Sequence, residues 1–182
     1  MTLEELALQG KSIIHKNMAA SIADHLVGIR KETIKQCLSD FHTEEHRLES
    51  VANIAGVEYV NDSKATNVNT SWYSLEEYNN PIIWIAGGTD NGNDYTKLLD
   101  VVRKRVKTLI CLGLNNAILV ETFTPYVKSI VEVTSMEDAV NYAYSIGVKG
   151  DTVLLSPSCA SFDLFSDYKE RGKAFRVAVQ NL

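Results

Sequence analysis

No Gly-x-x-x-x-Gly-Lys-Ser/Thr phosphate loop occurs anywhere in the 182 residues, so the usual backbone cradle for a nucleoside triphosphate is absent from this stretch of chain. No apolar run approaches the roughly 20 residues that cross a bilayer as a helix. Met1–Gly10 carries Glu4 and Glu5 and no basic segment, which does not read as a secretory signal. Basic charge is in deficit: 18 Lys and Arg stand against 23 Asp and Glu, for a net charge of -5, so the electrostatic footprint of a nucleic-acid binder is missing. Neither a nucleic acid nor a membrane is expected as a partner. Cysteine is scarce, with Cys37, Cys111 and Cys159 odd in number, scattered and without metal-ligand spacing. They read as reduced cytoplasmic thiols, and no metal site is expected. All four histidines (His15, His25, His42 and His46) lie in the first 46 residues, so no imidazole base stands near the later turns in sequence.

What is present is an ordinary globular composition, 45% hydrophobic and 23% charged, long enough to bury a core without staples. Helical spacing over 17–27 (Met18, Ala19, Ile22, Ala23, Leu26), with Asn17 as cap and Gly28 as stop, predicts one short helix. Ile34, Cys37, Leu38 and Phe41 predict a second over 31–41. The pair reads as the tail of a preceding domain or an interface piece, and the polar stretch 42–47 as a boundary. From Leu48 the period changes. Strands are expected near 49–54, 57–61, 82–86, 107–112, 129–133 and 152–156. Helices are expected near 67–78, 94–105, 115–122, 135–147 and 163–179. This alternation predicts an α/β domain with a mainly parallel sheet. The continuous apolar runs Ile82–Ala86 and Val153–Leu155 suit strands covered on both faces.

Ligands of such sheets sit beyond the carboxyl ends of the strands. Three turns there are rich in polar groups: 61–67, 87–94 and 156–163. In the first, Asp62, Ser63, Lys64 and Thr66 either present charge and hydroxyls to an anion, or make an ordinary helix start with Asp62 or Ser63 as cap and Lys64 solvated. Gly87-Gly88 lets backbone approach a ligand closely, or is a flexible loop; it lacks the third glycine of a dinucleotide fingerprint. In the third turn Cys159 reads as a small buried cysteine and Ser161 as a donor at a helix start. Phe162, Phe165 and Tyr168 read as a core stripe. Lys169-Glu170-Arg171 and Arg103-Lys104-Arg105 with Lys107 read as solvated faces, and His46-Arg47 as a surface pair or a hinge reaching a phosphate.

Several of these stretches stand together in a known order: His46-Arg47-Leu48-Glu49, Asn61-Asp62-Ser63-Lys64-Ala65-Thr66-Asn67, Gly87-Gly88-Thr89-Asp90, Ser156-Pro157-Ser158-Cys159-Ala160-Ser161-Phe162-Asp163 and Arg171-Gly172. In these motifs residues 46–182 resemble the C-terminal part of the Mur ligases, cytoplasmic ATP-dependent enzymes of peptidoglycan synthesis, and most closely the branch that adds D-glutamate. The resemblance implies a Rossmann-like, mainly parallel sheet with flanking helices over 46–182. Residues 1–45 would be the terminal helices of a central ATP-binding domain. It implies ATP and Mg as cofactors of the full-length enzyme, with D-glutamate and UDP-N-acetylmuramoyl-L-alanine as its substrates. By the same resemblance Lys64 is catalytic, contacting phosphate or the tetrahedral intermediate. Thr66, Ser161, Phe162 and Tyr168 line the D-glutamate pocket, and Asp62, Arg47 and Asn17 serve the nucleotide. Two departures stand out. The Gly-Gly loop of the family usually carries a lysine where this chain has Asn91, a loss of about 1.5–3 kcal/mol of charge-assisted bonding. The stretch from Gly10-Lys11 to Asn17 also does not align residue for residue. The expected product is a fragment that folds but does not ligate alone. A stand-alone module binding an acidic amino acid or nucleotide is the alternative, and a generic Rossmann oxidoreductase is disfavoured by the missing glycine fingerprint.

Overall fold

The computed structural model describes residues 45–182. The helices expected over 17–27 and 31–41, with Asn17 and Cys37, lie outside the described residues.

The chain enters through a hairpin. Strand β1 (Glu49–Ile54) turns into β2 (Val57–Asn61) through Ala55 and Gly56, both at positive φ (52° and 82°), the geometry that matches a tight hairpin to strand twist. Helix α1 (Val68–Glu77) follows, then β3 (Ile82–Ala86). A 3-10 turn (Tyr95–Leu98) leads into α2 (Leu99–Arg105) and β4 (Val106–Leu112). Helix α3 (Ala117–Phe123), β5 (Ser129–Val133), α4 (Met136–Ile146), β6 (Thr152–Leu155) and α5 (Tyr168–Gln180) complete the order. The six strands form one sheet in the order β1-β2-β6-β3-β4-β5, parallel except for the β1–β2 pair. The expected α/β, mainly parallel fold is the one observed.

Alternate residues of each central strand face opposite layers, as the period of two requires. Val60, Trp84, Leu109 and Leu154 pack with Val68 and Leu75 of α1, Val101 and Val102 of α2, and Leu119 and Phe123 of α3. Tyr59, Ile83, Ile85, Val153 and Leu155 pack with Val140 and Ala143 of α4 and Phe175 and Val179 of α5. Trp84 fills the first layer: its ring meets Phe123 edge-on at 5.4 Å, and its indole N–H donates to the Ser156 carbonyl at 2.8 Å. A buried ring with its polar handle satisfied fixes both packing and register.

Two helix starts differ from expectation. α1 is capped by neither Asp62 nor Ser63 but by Asn67, whose Oδ1 accepts from Thr70 N at 3.0 Å. α5 begins five residues later than the spacing predicts. Asp163 is spent on another loop, accepting from Leu114 N at 3.1 Å, and the cap is Asp167, which accepts from Glu170 N at 2.7 Å. The supposed core stripe is therefore no stripe: Phe162 is 71% exposed, while Phe165 and Tyr168 are half-buried.

Candidate functional site

Strand β6 sits between β2 and β3, and all three are parallel, so their carboxyl ends share one edge. The chain leaves β2 and β3 toward α1 and α2 on one layer, and leaves β6 toward α5 on the other. Loops that diverge in this way open a crevice, the topological switch point where open sheets place ligands. The turns 61–67, 87–94 and 156–163 all meet on this rim.

Backbone bonds hold them together. Ser158 N donates to Ala65 O at 2.9 Å, Gly87 N to Pro157 O at 2.9 Å, and Thr89 N to Ala160 O at 2.9 Å. Gly87 and Gly88 stand at φ of 127° and 128°. A Cβ on Gly87 would lie 2.4 Å from Leu112 O, and one on Gly88 2.1 Å from Ala160 O. The double glycine thus serves the approach of one loop to its neighbours, which corrects its reading as a flexible turn. The rest of that loop is wound around Asp90. Its carboxylate accepts from Gly92 N, Asn93 N, Asn93 Nδ2 and Tyr95 OH, bonds that outweigh its partial burial and hold its pKa low. Asn91, at the tip, is exposed.

Asp62 is 1% exposed, and its carboxylate is taken up by the chain's own donors: Leu48 N at 3.2 Å, Ser156 Oγ at 3.1 Å and the Ser74 hydroxyl. Burial pushes its pKa up to about 6 against these bonds and the nearby Arg47 charge. A carboxylate so enclosed orders the segment carrying Arg47, Leu48 and Ser156; it is not presented to a ligand. Lys64 and Thr66 are half-buried on the outer side of the same turn, and Arg47 is half-buried beside Leu48. Ser161 is buried, and its carbonyl accepts from Leu164 N and Phe165 N, so it opens a single turn instead of α5, contrary to its expected place at a helix start. Phe162 projects from that turn, and Tyr168 begins α5. The structure therefore brings Arg47, Lys64, Thr66, Ser161, Phe162 and Tyr168 to one edge, with Asp62 beneath them.

Three residues expected on solvated faces are engaged inside the fold. Arg171 is 1% exposed: its Nε donates to Ser63 Oγ at 3.0 Å, Nη2 to Ser63 O at 2.9 Å and Nη1 to Cys159 O at 3.1 Å. Burial lowers its pKa to about 10. Stepping back from Phe175 by three and four residues puts Gly172 and Arg171 on the inner face of α5, a signal available from the helical period. His46 is 2% exposed, at a φ of 63°. Its Nδ1 lies 2.9 Å from Asn61 Nδ2, which also donates to Gly172 O, while Asn61 Oδ1 accepts from Ser63 N. With the amide oriented by those bonds, Nδ1 is the acceptor and the ring is neutral; burial lowers its pKa. Lys107 likewise leaves the basic cluster to pair with buried Asp151. Cys159 is buried against Tyr95 OH at 2.9 Å, and burial raises its pKa to about 11, so it is no nucleophile. Among the described residues no group of three or more His, Cys, Asp or Glu could hold a metal ion, and no helix is long and apolar enough to cross a membrane.

Residues 46–159, which include the first two rim turns and the first half of the third, match the family model of the Mur ligase, glutamate ligase domain. The chain belongs to the Mur ligase family. This Mur ligase domain is 51% identical over 182 residues to a UDP-N-acetylmuramoylalanine--D-glutamate ligase of Christiangramia forsetii, covering 100% of this chain and 41% of that protein. It is 48% identical over 183 residues to the protein of the same name from Bacteroides fragilis, with the same coverage of each chain. The chain thus spans well under half the length of the curated relatives it matches. Among solved structures, the UDP-N-acetylmuramate-alanine ligase MurC of Thermotoga maritima superposes with a TM-score of 0.66 at 12% identity, over 94% of this chain and 38% of that one. A MurF ligase from Thermotoga maritima in complex with ADP superposes at 0.58 with 14% identity, over 94% and 39%. These likenesses show the shared fold.

Proposed function

We propose that this chain is the amino-acid-receiving portion of a cytoplasmic, ATP-dependent, ADP-forming ligase that joins D-glutamate to UDP-N-acetylmuramoyl-L-alanine in peptidoglycan synthesis. The observation that carries the reading is the meeting of Lys64, Thr66 and Ser161 on one rim, in a chain closely related over its whole length to proteins named for that reaction. In the reaction a phosphoryl group passes from ATP to the substrate carboxylate, giving an acyl phosphate and ADP. The amine of D-glutamate then adds to the acyl carbon, and the tetrahedral intermediate expels phosphate and a proton to leave an amide. Such chemistry asks the protein mainly for placement and charge. The Lys64 ammonium stabilises the phosphate and the tetrahedral oxyanion. Thr66 and Ser161 donate to the side-chain carboxylate of D-glutamate, with Phe162 and Tyr168 walling its methylenes. Arg47 reaches the ATP phosphates and Asn17 the adenine, while Asp62 acts on the nucleotide through the Arg47–Leu48 segment it orders. Mg is a cofactor of the full-length enzyme in this reading, and among the described residues no group of three or more His, Cys, Asp or Glu could hold it. Residues 1–45 belong to the central ATP-binding domain in this reading, and the chain alone does not ligate.

The test is to join this chain to the N-terminal portion of the Christiangramia forsetii relative and follow ADP release. Release that requires both D-glutamate and UDP-N-acetylmuramoyl-L-alanine, and is abolished by Lys64→Ala, is expected. ADP release by the unjoined chain, or a folded but inactive fusion, would overturn the proposal.

A further inference from the structure

We propose that Arg171 is the positioning residue of this rim: one buried guanidinium holds Ser63 and Cys159, and through them Lys64 and Ser161, in the mutual placement an anionic substrate requires. The inference rests on the ligase reading for its substrate, but the clamp itself is read from geometry. Nε and Nη2 grip Ser63 at its hydroxyl and carbonyl, 3.0 and 2.9 Å away, one residue before Lys64. Nη1 grips the Cys159 carbonyl at 3.1 Å, two residues before Ser161. The Ser63 hydroxyl, while accepting from Arg171, donates to the Tyr168 carbonyl at 2.7 Å and so ties the turn to the first residue of α5. The third loop rests on the same group, since a Cβ on Gly88 would lie 3.3 Å from Nη1. Among the described residues no carboxylate stands within ion-pair distance of Arg171, so its three bonds go to neutral acceptors of the two turns. A planar fork can bridge acceptors on two strand ends at once; the ammonium of lysine, a point donor, cannot. The fork therefore accounts for arginine at this position where charge alone does not.

The test is R171K, read in two ways. In the chain as it stands, amide hydrogen exchange at Lys64, Thr89 and Ser158, whose N–H groups close the rim, is expected to quicken at least about tenfold, while Ser156 N–H, bonded to Ile85 O inside the sheet, is unchanged. Unchanged rim amides, or uniform loosening of sheet and rim together, would overturn the proposal. S63A, which removes one of the three acceptors, is expected to give a smaller change at the same amides and decides the matter if R171K does not fold. In the fusion with the relative's N-terminal portion, R171K is expected to lower kcat/KM for D-glutamate about 100-fold, with KM for the UDP-linked substrate held within about twofold. An equal loss toward both substrates would mean a merely structural arginine. If the wild-type fusion releases no ADP, the ligase reading has failed, and the exchange measurement alone decides the clamp.

Discussion

Replacing Gly172 with alanine sets two effects of opposite sign against each other. Gly172 lies inside α5, where alanine is favoured by about 1 kcal/mol. Its Cβ, however, would fall 2.3 Å from His46 Nδ1, 2.7 Å from Cγ and 3.0 Å from Cε1. The imidazole is buried and cannot swing into solvent without leaving Asn61, so the collision forces overpacking worth about 1–3 kcal/mol. The broken His46–Asn61 bond adds about 1 kcal/mol. The net expectation is a loss of about 2 kcal/mol for Gly172→Ala in urea unfolding followed by tryptophan fluorescence. In a His46→Ala background the methyl enters the space the ring vacates, and the same substitution should stabilise by about 0.5–1 kcal/mol. The double-mutant cycle then shows coupling of about 2–3 kcal/mol between positions 46 and 172. Equal effects in the two backgrounds, or stabilisation in the wild type, would refute the idea that the helix keeps a glycine to seat this ring.

The raised pKa of Asp62 gives a pH prediction. Because its folded value, about 6, lies above the usual 3.8, the folded chain holds the proton more tightly. The contribution of this group to stability is therefore greatest below pH 4 and declines as pH rises to 6. Asp62→Asn does not titrate, so its stability relative to wild type should improve between pH 4 and pH 7 by about 2 kcal/mol. A difference that stays flat across that window would show that the carboxyl titrates normally. Carboxylates with lowered pKa, such as Asp90 and Glu170, titrate in both proteins and cancel. Cys159 should resist iodoacetamide at pH 8 in the folded chain and react promptly in urea, as read by peptide mass spectrometry; rapid native labelling would contradict its burial.

The strands were legible because their burial is written in local pattern: Ile82–Ala86 is apolar throughout and buried on both sides. What sequence reasoning missed depends on partners distant in the chain. The helix expected from 163 begins only at Tyr168 because Leu114, forty-nine residues away, claims the Asp163 carboxylate, and this also changes the setting of Ser161. Arg171 sits between charged neighbours that are solvated, so the triplet reads as surface; the apolar period continued back from Phe175 would have exposed the mistake. Gly87 and Gly88 announce a close approach without naming what approaches. The rim motifs were visible as residue types, but the order β2-β6-β3 that brings them together was not, since nothing local to Thr152–Leu155 says which strands it will separate.

That strand order bears on how the chain is made. The sheet's middle strand is supplied by residues 152–155, late in synthesis. Until they leave the ribosome, β2 and β3 are not neighbours but two unfilled edges, each with a row of unpaired amides and apolar side chains. A nascent chain stalled before Thr152 would be a candidate for chaperones and for aggregation, and the domain would close only when its last strand slots into the gap.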